Sequence, residues 1–469
     1  MTENDLIEYH KKAQYPSHGR ALTAVIVVVG AFLALGTLGL LNVVTLYLGD
    51  VMSIITDIAS TLSLPEWLSG NIAVVILILG VLFILSMIMA VGASALAKRM
   101  GATLIYIGAF FMNIMTWAIV VILFVTTGFN FSVLAASWPV MIPGVLTLFM
   151  TLLLFTVFRA RIKRAGEIIK LTGQVCLDEK GVFVPPLVTM LFTLISAAMF
   201  GGILFLFPNV GDILSAIVGT QDWTVETALP LGIVLVVYLF ATIFFYNLAY
   251  ATSSAMAYIY IRGRDPTLGD GVKAALGVIG GLAALALMSV VVVIVRIALQ
   301  RAGRRVGGPV GESVGRAAGG VIGWIWALVN YFTIPAMVAE SLGARAGIKR
   351  SIGLVRHNFV DVMIKETAVR WAFGVLSATF FIAFAVGGAL IGWFASSYDI
   401  VTTIVMMIVF IVFAAIPSAL VLRTFDIVYV TLLYVFIRQQ EGDIREKTAI
   451  PGPLEDDLAA TYRDAKRSQ

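Results

Sequence analysis

Long apolar runs alternate with short polar segments along nearly the whole of this 469-residue chain. Each run reaches the roughly 18 residues that an α-helix needs to cross a hydrocarbon core of about 30 Å. Helices suit this setting because they satisfy their own backbone hydrogen bonds. The pattern predicts an all-α polytopic bundle of about ten spans, at residues 21–48, 71–97, 102–128, 140–158, 182–207, 229–261, 274–299, 319–343, 371–395 and 400–422, with 423–438 as an inner extension.

A basic, glycine-containing segment recurs between the apolar runs. Gly347–Val355 matches Gly271–Ile279 at nearly every position by residue type, and Arg161–Ala165 is a looser copy. Self-similarity of this kind indicates a structural repeat. We expect three short amphipathic helices, called elbows here, that lie on the cytoplasmic surface and lead into the next span. The alternative is that any basic turn between two spans has this composition.

Lysine and arginine are distributed unevenly between the two sides of the predicted bundle. They cluster in the segments 1–20, 98–101, 159–180, 262–273, 343–370 and the C-terminal tail, whereas none occurs at 49–70, 129–139, 208–228 or 396–399. By the positive-inside rule, the first set is cytoplasmic. The pattern predicts a multi-pass protein of the cell membrane with a cytoplasmic N-tail (1–20) and a cytoplasmic C-tail (439–469).

The loop between spans seven and eight violates this rule, because five arginines lie within or beside it (Arg296, Arg301, Arg304, Arg305 and Arg316). Either they bind an anion outside the cell, or the local topology of 296–318 differs. Arg301, Arg304 and Arg305 would share one side of a helical continuation of span seven, and guanidinium groups suit two-point contacts with phosphate or carboxylate. Expected partners are membrane lipids, a protein partner or second copy of the chain, or the chain's own Glu312 or Asp222.

Composition agrees with a membrane protein and excludes several other classes. Charged residues make up 13% of the chain and apolar residues 60%, whereas soluble domains contain about 25% charged residues. A single cysteine, Cys176, cannot form an internal disulfide, and the three histidines share no metal-ligand spacing. No catalytic or phosphate-binding motif is present. We therefore expect no metal site, no cofactor and no enzymatic activity, and we assign the net charge of +5 to lipid headgroups rather than nucleic acid.

Polar side chains within the spans are the best candidates for a solute path, because they are costly in a membrane and usually face a cavity or another helix. Several of them share one face of span six, and tyrosine rings can hold an organic cation. The alternative is that these residues only join helices. Arg423 and Asp426 are expected to pair at the inner interface. The path candidates are Asn113, Tyr246, Asn247, Tyr250, Ser254, Tyr258, Asn330, Thr333 and Glu340.

Two stretches resemble known families. Phe158–Leu191, FRARIKRAGEIIKLTGQVCLDEKGVFVPPLVTML, is distantly similar to the choline transporter-like family, which implies ten spans and inner termini. From Phe245 onward the chain more closely resembles a prokaryotic multispan family of unknown function, through RGRDPTLGDGVKAAL, NYFTIPAMVAESLGARAGIKRS and LLYVFIRQQEGDI. YFTIPAMVAE stands where the choline family has a cysteine-rich, asparagine-containing motif.

These observations favour a transporter-like protein that moves a small organic solute, with an organic cation as one candidate, along spans three, six and eight. The alternative is a non-transporting subunit or scaffold that binds lipids or partner proteins. An open vestibule containing Tyr246, Tyr250 and Asn330 would favour the transporter, whereas packed side chains would favour the scaffold.

The predicted topology can be tested by cysteine labelling from outside the cell. In a Cys176→Ala background, Asp222→Cys should react with a membrane-impermeant maleimide and Lys447→Cys should not. The opposite labelling pattern would reverse the proposed orientation.

Overall fold

The computed structural model describes residues 19–61, 72–128, 140–218, 222, 224–395 and 400–440. These residues are almost entirely helical and include no strand, which confirms the all-α polytopic bundle. Most of both predicted tails, the loop 129–139 and the turn 396–399 lie outside the described residues.

The helices are α1 (Gly19–Thr61), α2 (Ile72–Met100), α3 (Ala102–Thr126), α4 (Met141–Thr156), α5 (Arg159–Asp178), α6 (Val184–Leu204), α7 (Val210–Val218), α8 (Val225–Ile261), α9 (Leu268–Gly277), α10 (Ile279–Val329), α11 (Thr333–Glu340), α12 (Ala344–His357), α13 (Phe359–Ile364), α14 (Arg370–Ala395) and α15 (Ile400–Gln440). A 3₁₀ turn (Lys180–Phe183) precedes α6, and a π-helix (Lys365–Val369) joins α13 to α14.

Among the described residues, 8 helices are long and apolar enough to cross a membrane, or 9 if the bent pair α4–α5 counts as one span. The residues of the second predicted span form α2. The long hydrophobic helices therefore lie where the apolar runs predict them, although several boundaries differ.

The last helix forms the centre of the bundle. In the most hydrophobic 18-residue stretch of Phe413–Gln439, the C-terminal part of α15, 83% of the residues are buried, whereas the corresponding share in α3 is only 17%. Phe373 of α14 packs edge-on against Phe425 and Tyr429 of α15. α15 also contacts α2, α5, α8 and α11. The predicted span 400–422 and its predicted inner extension thus form one helix, and the C-terminal half of that helix is protein core rather than lipid-facing surface.

The three predicted elbows are separate short helices. α5 is bent by 91° from α4. α9 starts at a capping box in which Thr267 and Asp270 bond each other's backbone N–H, and α12 follows Ser341, which has a left-handed backbone conformation. Span seven therefore begins at Ile279 instead of residue 274, because residues 274–277 belong to the elbow.

Two of the elbows dock in the same way on the helix before them. A methyl group at Gly271 would lie 2.8 Å from the carbonyl oxygen of Thr252 and 2.8 Å from Cγ of Met256. At Gly347 it would lie 3.2 Å from the carbonyl oxygen of Thr333 and 2.7 Å from Cγ of Met337. The pattern Thr-x-x-Ala-Met occurs in both docking helices, so the repeat is longer than the basic segment alone.

The third elbow, α5, docks differently. A methyl group at Gly173 would lie 2.6 Å from the carbonyl oxygen of Ser94, and α5 packs mainly on α2 and α3 and less on the helix before it. This difference agrees with the looser sequence match at Arg161–Ala165.

The glycine- and arginine-rich segment expected to form an outer loop is helical instead. α10 folds back on itself near Gly308, which has a φ of +58°. Gly303 contacts the backbone of Gly311, and a methyl group at Gly315 would lie 2.5 Å from the carbonyl oxygen of Leu299. Glycines at a spacing of four allow two helices to approach this closely. The segment is therefore the tip of a helical hairpin. The two arms of α10 together with this tip are called the α10 hairpin below.

Spans eight and nine also differ from the predicted 319–343 and 371–395. Span eight is interrupted at 330–332 and ends with α11 at Glu340. A continuous candidate span runs from Phe359 to Phe394 and includes the π-helix. The expected outer loop 208–228 contains the short helix α7.

The docking contact of α9 predicts different effects of two neighbouring glycine substitutions. Gly271→Ala should destabilise the protein by about 1–3 kcal/mol, the usual cost of overpacking, because the backbone oxygen of Thr252 cannot move aside easily. Gly269→Ala is the matched control, since the nearest atom to its methyl group would be Thr267 Oγ1 at 3.6 Å. Thermal unfolding in detergent measures both, and equal melting temperatures for the two variants would contradict the docking contact.

Candidate functional site

A cleft of about 470 Å³ separates α8 and the α10 hairpin from the π-helix and α15. Its walls combine aromatic, amide and charged side chains, a composition typical of a small-molecule site. The lining residues are Ile243, Tyr246, Asn247, Tyr250, Leu285, Ser289, Trp324, Trp326, Ala327, Leu328, Asn330, Tyr331, Ile334, Glu366, Arg370, Asp426 and Val430.

The helix break between α10 and α11 forms part of this cleft. Helix ends leave backbone groups without intrahelical partners. Here the N–H of Phe332 donates to Ser351 Oγ of the elbow α12 at 2.9 Å. The elbow thereby stabilises the broken helix, and the break places Asn330 and Tyr331 beside the cleft.

Two buried polar atoms at the break have no hydrogen-bond partner among the described residues: Asn330 Oδ1 and the hydroxyl of Tyr331. The amide nitrogen of Asn330 is held in place, because Nδ2 donates a hydrogen bond to the carbonyl oxygen of Trp326 at 3.0 Å. The Trp326 indole in turn donates to Ser289 Oγ at 3.2 Å. A buried polar group without a partner costs about 1–3 kcal/mol, so a polar solute that reached these atoms would recover part of that cost.

The opposite wall is formed by α8. Tyr246 and Tyr250 meet edge to face, with ring centroids 6.2 Å apart. Asn247 is buried, and its Nδ2 lies 3.5 Å from the carbonyl oxygen of Leu282 on α10. Only part of the tyrosine face predicted for span six thus lies on the cleft. This part is formed by Tyr246 and Tyr250.

An ionic network forms the third wall. Lys365, whose side chain is only 4% exposed, bonds Glu366 Oε1 at 2.9 Å and makes a short contact with Asp426 Oδ1. Arg370 Nη1 contacts Glu366 Oε2 at 3.0 Å. A buried ammonium group requires such partners, because removing an ion from water costs several kcal/mol. The network joins the π-helix to α15 and leaves the Asp426 side chain 41% exposed.

Two internal cations lie over tyrosine rings. Lys365 Nζ is 5.2 Å from the ring centre of Tyr331, and Arg423 Cζ is 5.9 Å from that of Tyr246. The expected pairing of Arg423 with Asp426 is wrong, since Asp426 pairs with Lys365 and Arg423 packs on Tyr246. An organic cation would therefore compete with the chain's own cations for these two rings.

The sequence-predicted path residues divide into two groups. Tyr246, Asn247, Tyr250 and Asn330 line the cleft together. The other five, which are Asn113, Ser254, Tyr258, Thr333 and Glu340, are not among its lining residues.

These five residues lie in helix contacts elsewhere. Asn113 Nδ2 donates to Thr151 Oγ1 of α4 at 2.7 Å, so span three does not contribute to the cleft. Ser254 accepts a hydrogen bond from Thr431 at 2.9 Å. Tyr258 and Thr333 are buried.

Glu340 is bound on several sides. It pairs with Arg350 at 3.2 Å and with Arg438 at 3.5 Å, and it accepts a short hydrogen bond from Tyr434. Through these contacts Glu340 joins α11, α12 and α15.

Sequence reasoning missed Glu366 and Arg370 as cleft residues, because the ninth span was predicted to begin only at residue 371, and it assigned Asp426 to a pair with Arg423 instead of to the cleft. The available signal was Asp426, a carboxylate within a long and largely apolar helix that also carries Arg423. A carboxylate in such a position requires a cationic partner from another helix. Which cation supplies it depends on how α13, the π-helix and α15 pack.

The anion-binding candidates lie on the α10 hairpin. Arg304 Nε is 3.5 Å from Glu312 Oε2, and Arg316 pairs with Glu312 at 2.9 Å. Of the anionic partners expected for these arginines, the structure thus shows the chain's own Glu312, which contacts Arg304. Arg301 also has an interacting partner, and the Arg305 side chain lies outside the described part of the structure. Binding of lipids or proteins by these arginines stays a prediction.

Residues 229–443 match the model of a family described as "Family of unknown function (DUF6159)". The match covers less than half of the chain and includes most of α8, the α10 hairpin, all cleft-lining residues and the whole of α15. No curated protein matches the chain. The family description contains no activity that could be transferred to the cleft.

The buried ion pair predicts a stability difference between two charge-removing variants. Asp426→Asn should destabilise the protein by about 3 kcal/mol, because the buried ammonium group of Lys365 would then have only one acidic partner, Glu366, instead of two. Arg370→Gln should cost less than about 1 kcal/mol, because that side chain is 72% exposed. Chemical or thermal unfolding in detergent compares the two. The double variant Lys365→Met with Asp426→Asn should recover part of the loss, and a fully additive double variant would show that the pair is not coupled.

Proposed function

We propose that this multi-span membrane protein is transporter-like and moves a small organic solute through the cleft between α8, the α10 hairpin and α15. The observation that carries the proposal is the convergence of Tyr246, Tyr250 and Asn330 on one cleft. Packed helices that only support each other would leave no such space between them. Polar and charged groups around an open space within the spans instead favour a solute path.

The broken helix supports the same proposal. Solute sites in several transporter folds use interrupted helices, whose exposed backbone and side-chain groups can bind a polar ligand. In this chain the break places Asn330 and Tyr331 at the cleft, with a buried acceptor and a buried hydroxyl near one another in sequence. These groups would bind a solute that offers both a donor and an acceptor.

The charges of the cleft limit the class of solute. Asp426 and Glu366 can attract a cationic group, and Arg370 can attract an anionic one. An organic cation remains one candidate: it would approach the partly exposed Asp426 and compete with Lys365. A zwitterionic solute would use both signs. Movement by facilitated diffusion or by gradient-driven exchange would suit either class.

Solute flux into proteoliposomes tests this function. The probes are radiolabelled choline, glycine betaine and glycerol, which represent a cation, a zwitterion and an uncharged solute. We expect at least one of them to enter faster than into protein-free vesicles. Asn330→Ala and Tyr331→Phe should reduce that uptake, whereas Asn113→Ala should not, because Asn113 bonds Thr151 outside the cleft.

Water access to the cleft separates a transporter from a scaffold. In a Cys176→Ala background, Ser289→Cys should react with a small water-soluble methanethiosulfonate reagent, and the transported solute should slow the reaction. An unreactive Ser289→Cys together with the absence of uptake for all three probes would favour the non-transporting scaffold.

A further inference from the structure

A second pocket, separate from the cleft, lies on the α10 hairpin. It has a volume of about 290 Å³ and is lined by Val293, Arg296, Ile297, Gln300, Arg316, Gly319 and Gly320. The first arm contributes positions spaced by three and four residues, which share one helix face. The second arm contributes glycines, so the space between the arms is not filled by side chains. We call this the hairpin pocket.

The polar lining of the hairpin pocket is strongly cationic. Arg296 has no ion pair among the described residues, and its guanidinium group packs over Gly323, where a methyl group would come within 2.8 Å of Cζ. Arg316 pairs with Glu312 but stays 66% exposed. Gln300 adds an amide donor to the same pocket. Two guanidinium groups and an amide suit the oxygen atoms of a phosphate.

The remaining lining is apolar. Val293 and Ile297 lie on the same helix face as Arg296, and Ile297 is exposed on the surface. A soluble anion would gain nothing from contact with such an apolar surface, whereas the first carbons of an acyl chain would pack on it. The combination of cationic and apolar groups is therefore better suited to a phospholipid than to a free phosphate ion.

The position along the helix also suits a lipid headgroup. A rise of 1.5 Å per residue places Arg296 about 25 Å from the start of α10 at Ile279. The elbow α9 directly precedes Ile279 and marks the inner surface in the predicted topology. Since the hydrocarbon core is about 30 Å thick, Arg296 lies near the opposite interface, and its side chain can reach the outer phosphates.

We propose that Arg296, Gln300 and Arg316 bind the phosphate of an anionic glycerophospholipid in the outer leaflet. This assignment also accounts for the violation of the positive-inside rule, because a bound anionic lipid compensates the arginines that Glu312 does not neutralise. It is independent of solute transport through the cleft.

Native mass spectrometry of the full chain in detergent tests the proposal, with phosphatidylglycerol and phosphatidylcholine as probes. The wild-type protein should bind phosphatidylglycerol more tightly. Arg296→Gln should weaken this binding about tenfold, as expected for loss of one charge-assisted contact. Gly320→Leu should weaken it as well by filling the pocket, since a side chain at this position meets no other atom within 4 Å.

Two matched variants control for general effects. Arg301→Gln removes the same charge from the same hairpin but outside the pocket lining, and Gly232→Leu adds the same bulk at another open position. Gly232→Leu should keep wild-type affinity, Arg301→Gln should weaken binding less than Arg296→Gln does, and all four variants should keep the wild-type melting temperature without lipid. A loss caused by Arg301→Gln and not by Arg296→Gln would overturn the assignment to this pocket.

A separate titration with inorganic phosphate distinguishes the source of the anion. If inorganic phosphate raises the melting temperature in an Arg296-dependent way and phosphatidylglycerol has no further effect, the ligand is a soluble anion and the lipid assignment fails. Equal binding of both lipids by the wild type and by Arg296→Gln would also overturn it.

Discussion

The close docking of elbow helices on the preceding spans is the contact on which the break in span eight and the cleft depend. Gly271 and Gly347 let α9 and α12 approach to backbone contact, and no larger residue would fit without displacing a threonine carbonyl or a methionine. This docking sets where span seven begins. It also brings Ser351 to the N–H of Phe332, so that span eight can break without leaving that group unpaired. The cleft lies directly beside the break, and its position therefore follows from how the elbow packs.

The cleft carries more charge than a lipid-facing surface could tolerate, and it does so because its ions are paired. Lys365 lies in a π-helix, a form that often occurs at functional sites and that shifts side chains relative to a regular α-helix. From there it reaches Asp426 on the central helix α15 and holds the two elements together. The same pair leaves one face of Asp426 toward the cleft. A structural contact and a candidate solute contact thus share one carboxylate, which links the stability of the bundle to the chemistry of the site.

The part of the molecule around the α10 hairpin uses glycine for a different purpose. In the α10 hairpin, glycines spaced by four bring two helices together and leave space beside Arg296 and Arg316. Close helix packing and an open cationic pocket arise from the same lack of side chains. The cleft and the hairpin pocket are lined by neighbouring turns of α10, since Ser289 lies about one turn from Val293 and Trp324 about one turn from Gly320. A lipid bound near Arg296 and a solute bound near Asn330 would therefore both contact α10.

The sequence by itself determined the class of fold, the approximate places of the spans, the three elbows and the tyrosine face of span six. These features depend on local hydrophobicity, on helical spacing and on the clustering of basic residues, all of which can be counted along the chain. The tertiary structure alone decided that α15 is the core, that residues 300–318 form a hairpin and that Lys365 pairs with Asp426. It also separated Asn113 and Ser254, which join helices, from Asn330 and Tyr246, which line the cleft. The physical reason is that a polar residue in an apolar helix must find a partner or a cavity, and which of the two it finds depends on helices distant in sequence.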